Sequence, residues 1–268
     1  ICSNQLKLLK NRLFFYDKLA KSTQSKIILI DDGSTDSTSN YVKTHFPNII
    51  FMKNKEEEGY IKSFNKSLDF VDTDYIFLVD LHIHVKSLNL INEINLIKKN
   101  NSFAHFLTLS IDSQDHLLNL NASKAVFNFK YSNSLNEKKC LSEAIIFDVK
   151  KLIQLNKIPE NYFGIRFAFF DLIFTGLRLG YLTSLSDNCY LVKEKSLNTF
   201  FSYPIDYWIE FKDNFIFQWK NCYSIKIKIK RFIFITINCL CFKPKNLFHL
   251  SKAYLNWLFT KKRKLNWY

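Results

Sequence analysis

Lys26-Ile-Ile-Leu-Ile30-Asp31-Asp32-Gly33-Ser34-Thr35-Asp36 is an apolar run that stops abruptly in two carboxylates and a glycine. An uninterrupted apolar stretch of this length reads as a strand covered on both faces, the hallmark of a parallel sheet. Gly33 permits the turn, and Asp36-Ser37-Thr38 supplies side chains that can cap a helix reaching about His45. In open α/β sheets, ligands bind beyond the carboxyl ends of the strands, where Asp31 and Asp32 fall. Carboxylates there can accept hydrogen bonds from a base N–H or from ribose hydroxyls. An ordinary Asp-Gly turn explains the same letters. A Ca²⁺ loop does not, because the alternating acidic ligands and closing Glu of an EF-hand are absent.

Outward from this stretch, strand and helix patterns alternate. Residues 5–20 place Leu6, Leu9, Leu13 and Leu19 on one helical face. Residues 48–52 read as a second strand. Residues 59–71 read as a helix with Ile61, Phe64, Leu68 and Val71 aligned, and Tyr75-Ile-Phe-Leu-Val79 as a third strand ending at Asp80. The alternation predicts an α/β fold with a mostly parallel central sheet and right-handed crossovers. Residues 103–111 and 141–149 look like further strands, and Asp171 to Leu179 like a helix closed by Gly180.

The third strand leads into Asp80-Leu-His82-Ile-His84. If this segment stays extended, residues two apart face the same way, and Asp80, His82 and His84 converge on one divalent cation. Imidazole favours Mn²⁺ or Zn²⁺ over Mg²⁺. Solvated histidines beyond a finished strand are the plain alternative.

Composition narrows the class. The 268 residues are 47% hydrophobic, enough for a substantial core, with only 5 Gly and 4 Pro. Six scattered cysteines, none in a CxxC pair, suit a reducing cytosol. The longest apolar run, residues 232–242, is too short to cross a bilayer. The formal charge of +14 suggests phosphate-bearing partners, although the abundance of Lys, Asn, Ile and Phe also fits an A+T-rich gene. Much of that charge is local. Residues 205–268 hold thirteen Lys/Arg against three acids, interleaved with aromatics such as Trp208, Trp219, Trp257 and Trp267.

Taken in order, these motifs resemble family-2 glycosyltransferases of the GT-A fold. Ile1-Cys-Ser-Asn4 resembles the end of the family's first strand motif, which would put most of that strand upstream of Ile1. Ile30-Asp-Asp-Gly-Ser-Thr-Asp36 matches its second motif almost letter for letter. Glu57-Glu-Gly59…Ser63-Phe-Asn65-Lys-Ser-Leu68 matches its third, with Glu57 in place of Asn. Asp80-Leu-His82 stands where the family has Asp-x-Asp.

The resemblance implies a nucleotide diphosphate sugar as donor, a divalent metal (Mn²⁺ or Mg²⁺), and transfer with inversion to a hydroxyl of a glycan or lipid-linked acceptor. The setting it implies is bacterial surface polysaccharide, with rhamnose one candidate sugar. It implies that Asp31 or Asp32 binds the base or ribose, that Ser3 lines the base pocket, and that Lys62 or Asn65 lies near the nucleotide. Asp80 would contact ribose and the metal-bridged diphosphate, with His82 as a second ligand.

The distal half continues the resemblance. Leu141 to Phe147 looks like the acceptor-side strand, and Pro159 to Phe163 like the segment before the catalytic helix. Asp171-Leu172 and Gly180-Tyr181 keep the spacing of a Glu-Asp-x-Asp-Leu…Gly-Tyr pattern. The Glu-Asp pair, whose Asp is the usual base, falls on Ala168-Phe169. Three readings follow: Asp171 serves as base, Glu143 or Glu160 does, or the chain is a catalytically degenerate binding or scaffold protein. Asp171 also fits an N-cap or first-turn acid. Arg178 could pair with diphosphate or stand as an exposed helix arginine.

The expected organisation is a GT-A domain over 1–200 and a basic aromatic, helical tail over 201–268. That tail suits an anionic membrane surface, with inward packing and single-stranded nucleic acid ranked behind it. The expected location is the cytoplasm, with peripheral attachment to the membrane's cytoplasmic face.

Overall fold

The computed structural model describes residues 1–107, 144–162, 165–186, 190–193, 216–217 and 220, with the side chains of 86–87, 165–167, 185 and 190–193 left aside. Two compact units divide the chain: Ile1–Ile158 with Leu172–Leu197, and Pro159–Asp171 with Asn198–Tyr268. Glu143, Phe163 and nearly all of the tail from 201 onward lie outside the described residues.

The first unit opens with α1 (Leu6–Ser22), β1 (Ile28–Asp31), α2 (Thr38–His45), β2 (Ile50–Lys53), α3 (Tyr60–Ser67) and β3 (Tyr75–Val79). Then come β4 (Ile83–Ser87), α4 (Leu90–Asn100), β5 (Ser102–Phe106), β6 (Ala144–Asp148) and α5 (Val149–Gln154). After α6 (Ile165–Arg178), β7 (Leu182–Leu185) and β8 (Tyr190–Lys193) return to it. β1 and β2 pair in parallel, and Cys2 adds a parallel bridge to Asp31. A four-stranded sheet runs β3-β6-β5-β7. β6 is antiparallel to both β3 and β5, while β7 is parallel to β5, so three of its four strands share one direction. β4 and β8 form an antiparallel pair.

Burial follows the sequence pattern. All five residues of β5 are buried, as expected of a strand with a neighbour on each edge and cover on both faces. Leu9, Leu13 and Tyr16 of α1, spaced by about a turn, pack with Leu29, Val42, Ile83 and Ile146 into one core. Within Asp36-Ser37-Thr38, it is Asp36 that supplies the side-chain anchor of α2. Its Oδ1 accepts from Thr38 N at 3.0 Å, while Ser37 at the cap position makes no side-chain capping bond. Slight burial pushes the Asp36 carboxyl up, but hydrogen bonds from Thr38 and the Leu6 N–H, with the charge of Lys53, hold it below its usual range. No helix among the described residues is long and apolar enough to cross a membrane.

The expected helix from Asp171 is longer than its sequence signal. It begins at Ile165, so Asp171 sits mid-helix and is neither an N-cap nor a first-turn acid. The pattern misled because Ile165–Phe170 is apolar on most sides and carries no cap residue. The far end agrees: Gly180 takes φ +81, and the Tyr181 N–H closes on Gly176 O at 3.0 Å.

Inside the core, the Tyr16 hydroxyl donates to Ile83 O at 2.8 Å. Burial, then the charge of Asp80, pushes this phenol well above its usual 10.0. Burial, then Asp31, lifts the Cys2 thiol from 9.0 to about 12. Both groups are neutral in the fold, so their contribution is complete at neutral pH. It declines once the unfolded chain can ionise them, from about pH 9 for the thiol and 10 for the phenol. Denaturation midpoints should fall on this alkaline limb. Tyr16→Phe should be less stable at pH 7 by about 1 kcal/mol and lose less above pH 10. Parallel curves for the two proteins would refute the assignment.

Candidate functional site

The Asp31–Asp36 turn is built from buried carboxylates. Asp31 has no exposed surface; its Oδ1 accepts from Ser34 N at 2.9 Å and its Oδ2 from Ser39 Oγ at 2.6 Å. Lys53 reaches across β2, donating to Ser34 O at 2.6 Å with its ammonium 3.9 Å from Asp31 Oδ2. Asp32, also without exposed surface, is a four-donor clamp. Its Oδ1 accepts from Asn54 Nδ2 at 2.7 Å, Glu58 N at 3.0 Å and Ser63 Oγ at 3.0 Å, and its Oδ2 from Gly59 N at 2.9 Å. In this arrangement both carboxylates are engaged by the turn and the segments packed on it. Their work is to hold together the turn after β1, the 54–59 loop and the start of α3. Gly33 shows how close these pieces lie: at φ +75, an added Cβ would stand 2.6 Å from Glu57 N.

Asn4, in a left-handed conformation at φ 51, ties the first residues to the same turn. Its N–H donates to Ser34 Oγ at 2.9 Å, and its Oδ1 accepts from Thr35 N at 2.9 Å and Asp36 N at 3.3 Å. Ser3 is half-buried and lies between Asn4 and the Cys2 bridge in the chain. Lys62 is exposed on α3. Asn65 is buried, and its amide pairs both ways with the Ile158 peptide, donating to Ile158 O at 2.9 Å and accepting from Ile158 N at 3.1 Å.

Asp80 follows the last residue of β3, as the sequence places it, but the chain then turns instead of running on. Asp80 Oδ1 accepts from His82 N at 2.8 Å, and Ile83 N donates to Asp80 O at 3.0 Å. This turn corrects the extended-segment expectation. His82 lies inside the turn, with its Nε2 3.3 Å from Gln5 Nε2. His84 lies on β4 with its ring against Phe15, centroids 6.3 Å apart. No group of three His, Cys, Asp or Glu side chains among the described residues is arranged to hold a metal. What remains is narrower: Asp80, 3% exposed, has one oxygen fixed by a backbone N–H, and no donor among the described residues reaches the other. One carboxylate, with water and diphosphate oxygens, is a common way to hold a divalent cation, so the donor set fits such an ion.

In the second unit, Ala168 and Phe169 have no exposed surface, and Phe170 packs on Phe217 with centroids 5.9 Å apart. Asp171 is fully buried, and its Oδ2 accepts from Lys220 Nζ, whose side chain is 29% exposed. In the first unit, half-buried Arg178 is folded onto its own helix, donating to Phe174 O at 3.2 Å and Thr175 Oγ1 at 3.3 Å. Glu160 is exposed.

Sequence reasoning missed Asn54, which links Asp32 to Ser63 at 2.8 Å, and the Lys53 and Lys66 ammoniums that face the turn and the Glu58 carboxylate. No spacing rule marks such residues, because their partners are distant in sequence and become visible only once the strands are paired.

No curated protein sequence matches the chain. Among solved structures, it resembles the mannosyltransferase PcManGT of Pyrobaculum calidifontis, in complex with GDP-Man and Mn²⁺. The TM-score is 0.59 at 13% identity, over 98% of this chain and 73% of that one. It also resembles S. aureus TarS 1–349 in complex with UDP-GlcNAc, with TM-score 0.55 and 16% identity over 98% of this chain and 74% of that one. At these identities the likeness establishes the GT-A fold. The model of glycosyl transferase family 2 matches residues 9–146, just over half the chain and the span that contains the β1 turn, the 54–59 loop and Asp80. The chain therefore belongs to glycosyl transferase family 2.

Proposed function

We propose that this chain binds a nucleotide diphosphate sugar through a divalent cation at Asp80. We propose further that it transfers the sugar, with inversion, to a hydroxyl of a glycan or lipid-linked acceptor. The observation that carries the donor reading is the Asp80 turn: a buried carboxylate at a strand's carboxyl end, oriented by a backbone N–H, with one oxygen left for a ligand. The solved relatives' GDP-Man with Mn²⁺ and UDP-GlcNAc support the same class of donor.

Asp80 Oδ2 would hold the cation, and His82, two residues on, is the candidate for a second ligand, which favours Mn²⁺ over Mg²⁺. When bound, the cation would act as a Lewis acid toward the departing diphosphate. Ser3 and Lys62 remain candidates for direct nucleotide contact. Asp31, Asp32 and Asn65 serve the site from behind, by fixing the backbone around it. The acceptor's setting, surface polysaccharide at a cytoplasmic membrane face, rests on the resemblance and on the basic aromatic sequence of 201–268 alone.

A second reading, donor binding without transfer, is favoured by one observation. The usual base position is buried Phe169, and Asp171 is fully buried against Lys220. A general base must come within hydrogen-bond reach of the acceptor hydroxyl, so for Asp171 to serve, Lys220 must release it.

Calorimetry with UDP, GDP and dTDP, with and without Mn²⁺, followed by turnover of the matching nucleotide sugar, separates the readings. The first predicts metal-dependent binding and nucleotide release that Asp171→Asn lowers by at least about a hundredfold. Binding with no release toward any acceptor supports the second. No binding of any nucleotide defeats both.

A further inference from the structure

Glu93, His105 and Ser184 form a hydrogen-bonded line inside the first unit. Glu93 Oε2 lies 2.7 Å from His105 Nε2, and His105 Nδ1 lies 2.8 Å from Ser184 Oγ. The side chains of His105 and Glu93 are 0% and 2% exposed. Three elements build the line. Glu93 is in the first turn of α4, where the helix dipole favours its negative charge. His105 is on fully buried β5, and Ser184 is its partner in the parallel β5–β7 register. None of these residues belongs to the Asp80 turn or the Asp32 clamp.

The chemistry follows from proton placement. An ionised Glu93 can only accept, so Nε2 carries a proton, and in the neutral imidazole Nδ1 is then the basic nitrogen facing the Ser184 hydroxyl. This is the arrangement of an acid–base–nucleophile relay, here with Nδ1 facing the serine and Nε2 facing the carboxylate. Ser184 itself is half-buried and sits on β7, which ends the four-stranded sheet among the described residues. Ser184 is thus on the marginal strand while its base is shielded from water.

We propose that Ser184 is an activated nucleophile that takes up an acyl or phosphonyl group from an electrophile with a good leaving group. Ser184 Oγ forms the new bond to carbonyl carbon or phosphorus, and the leaving group departs with the electrons of the bond that breaks. The serine proton passes to His105 Nδ1 and from there to the leaving group or water. Glu93 stays ionised and holds the imidazolium.

The test uses the full chain, a fluorophosphonate probe and peptide-level mass spectrometry. Displacement of fluoride adds one phosphonyl group, and we expect it on Ser184 well ahead of exposed Ser37. Ser184→Ala should lose that label while any slow labelling elsewhere stays. His105→Gln should slow it at least about a hundredfold, and Glu93→Gln, which keeps an acceptor but removes the charge, about tenfold. Should His105→Gln fail to fold, shown by its melting curve, Glu93→Gln and the Ser184-to-Ser37 ratio decide. No label on wild-type Ser184, a rate no faster than at Ser37, or a rate unmoved by Glu93→Gln overturns the proposal.

Discussion

Asp32→Ala should destabilise the first unit by about 3 kcal/mol, because it strips the shared acceptor from four donors, two of them the buried side chains of Asn54 and Ser63. The Glu58 and Gly59 N–H groups cannot find other partners without moving the loop. Asn54 and Ser63 keep their mutual 2.8 Å bond, which limits but does not remove the loss. Asp32→Asn should cost less, about 2 kcal/mol, since Oδ1 can still accept while the new amide faces the Gly59 N–H. Total stabilities of single domains are about 5–15 kcal/mol, so the alanine variant approaches the threshold of folding. Urea midpoints at pH 7 read the effect directly. A loss below about 1 kcal/mol for Asp32→Ala would mean the clamp is ornamental.

The clamp also shows where the sequence could be read and where it could not. The Ile28–Asp31 strand and its turn were legible because a short apolar run, two acids and a glycine leave few other conformations. Tyr75–Val79 was legible for the same reason. What the letters did not disclose was the direction in which each carboxylate spends its oxygens. Asp31 and Asp32 read as ligand-facing because strand ends usually are, whereas in the structure Asp31 accepts from Ser34 and Ser39 and Asp32 from the 54–59 loop. The segment after Asp80 was open to an extended and a non-extended reading, and the letters did not choose between them. Alternation suggested an extended segment, but a side chain that can accept from the N–H two residues on competes with extension. α4 was not anticipated from the sequence; it starts at Asn89, whose Oδ1 accepts from Asn92 N at 3.2 Å, and stops at left-handed Asn101. The Glu93–His105–Ser184 line could not have been seen in advance, because it depends on β5 and β7 being neighbours in space.

Asp80→Asn should abolish metal-dependent nucleotide binding while leaving the fold almost untouched. The asparagine Oδ1 can accept from His82 N just as the carboxylate does, so the turn persists and stability should change by no more than about 1 kcal/mol. What disappears is the charge on the oxygen that faces no donor. A divalent cation at a site with one carboxylate depends heavily on that charge, and the diphosphate depends on the cation. A loss of about a hundredfold in Mn²⁺-supported affinity, roughly 2.7 kcal/mol, is the expected size. Metal-free binding, if measurable, should improve or stay level, because a buried negative charge no longer repels the diphosphate. This opposite response separates a metal ligand from a residue that only shapes the pocket, whose replacement would weaken both modes alike. His82→Gln should fall between the two: the backbone N–H that orients Asp80 is kept, so a small loss of about threefold marks an orienting role. A loss near that of Asp80→Asn would instead mark His82 as the second ligand. If Asp80→Asn binds nucleotide with Mn²⁺ as tightly as the parent chain, the cation sits elsewhere and the donor reading loses the observation on which it rests.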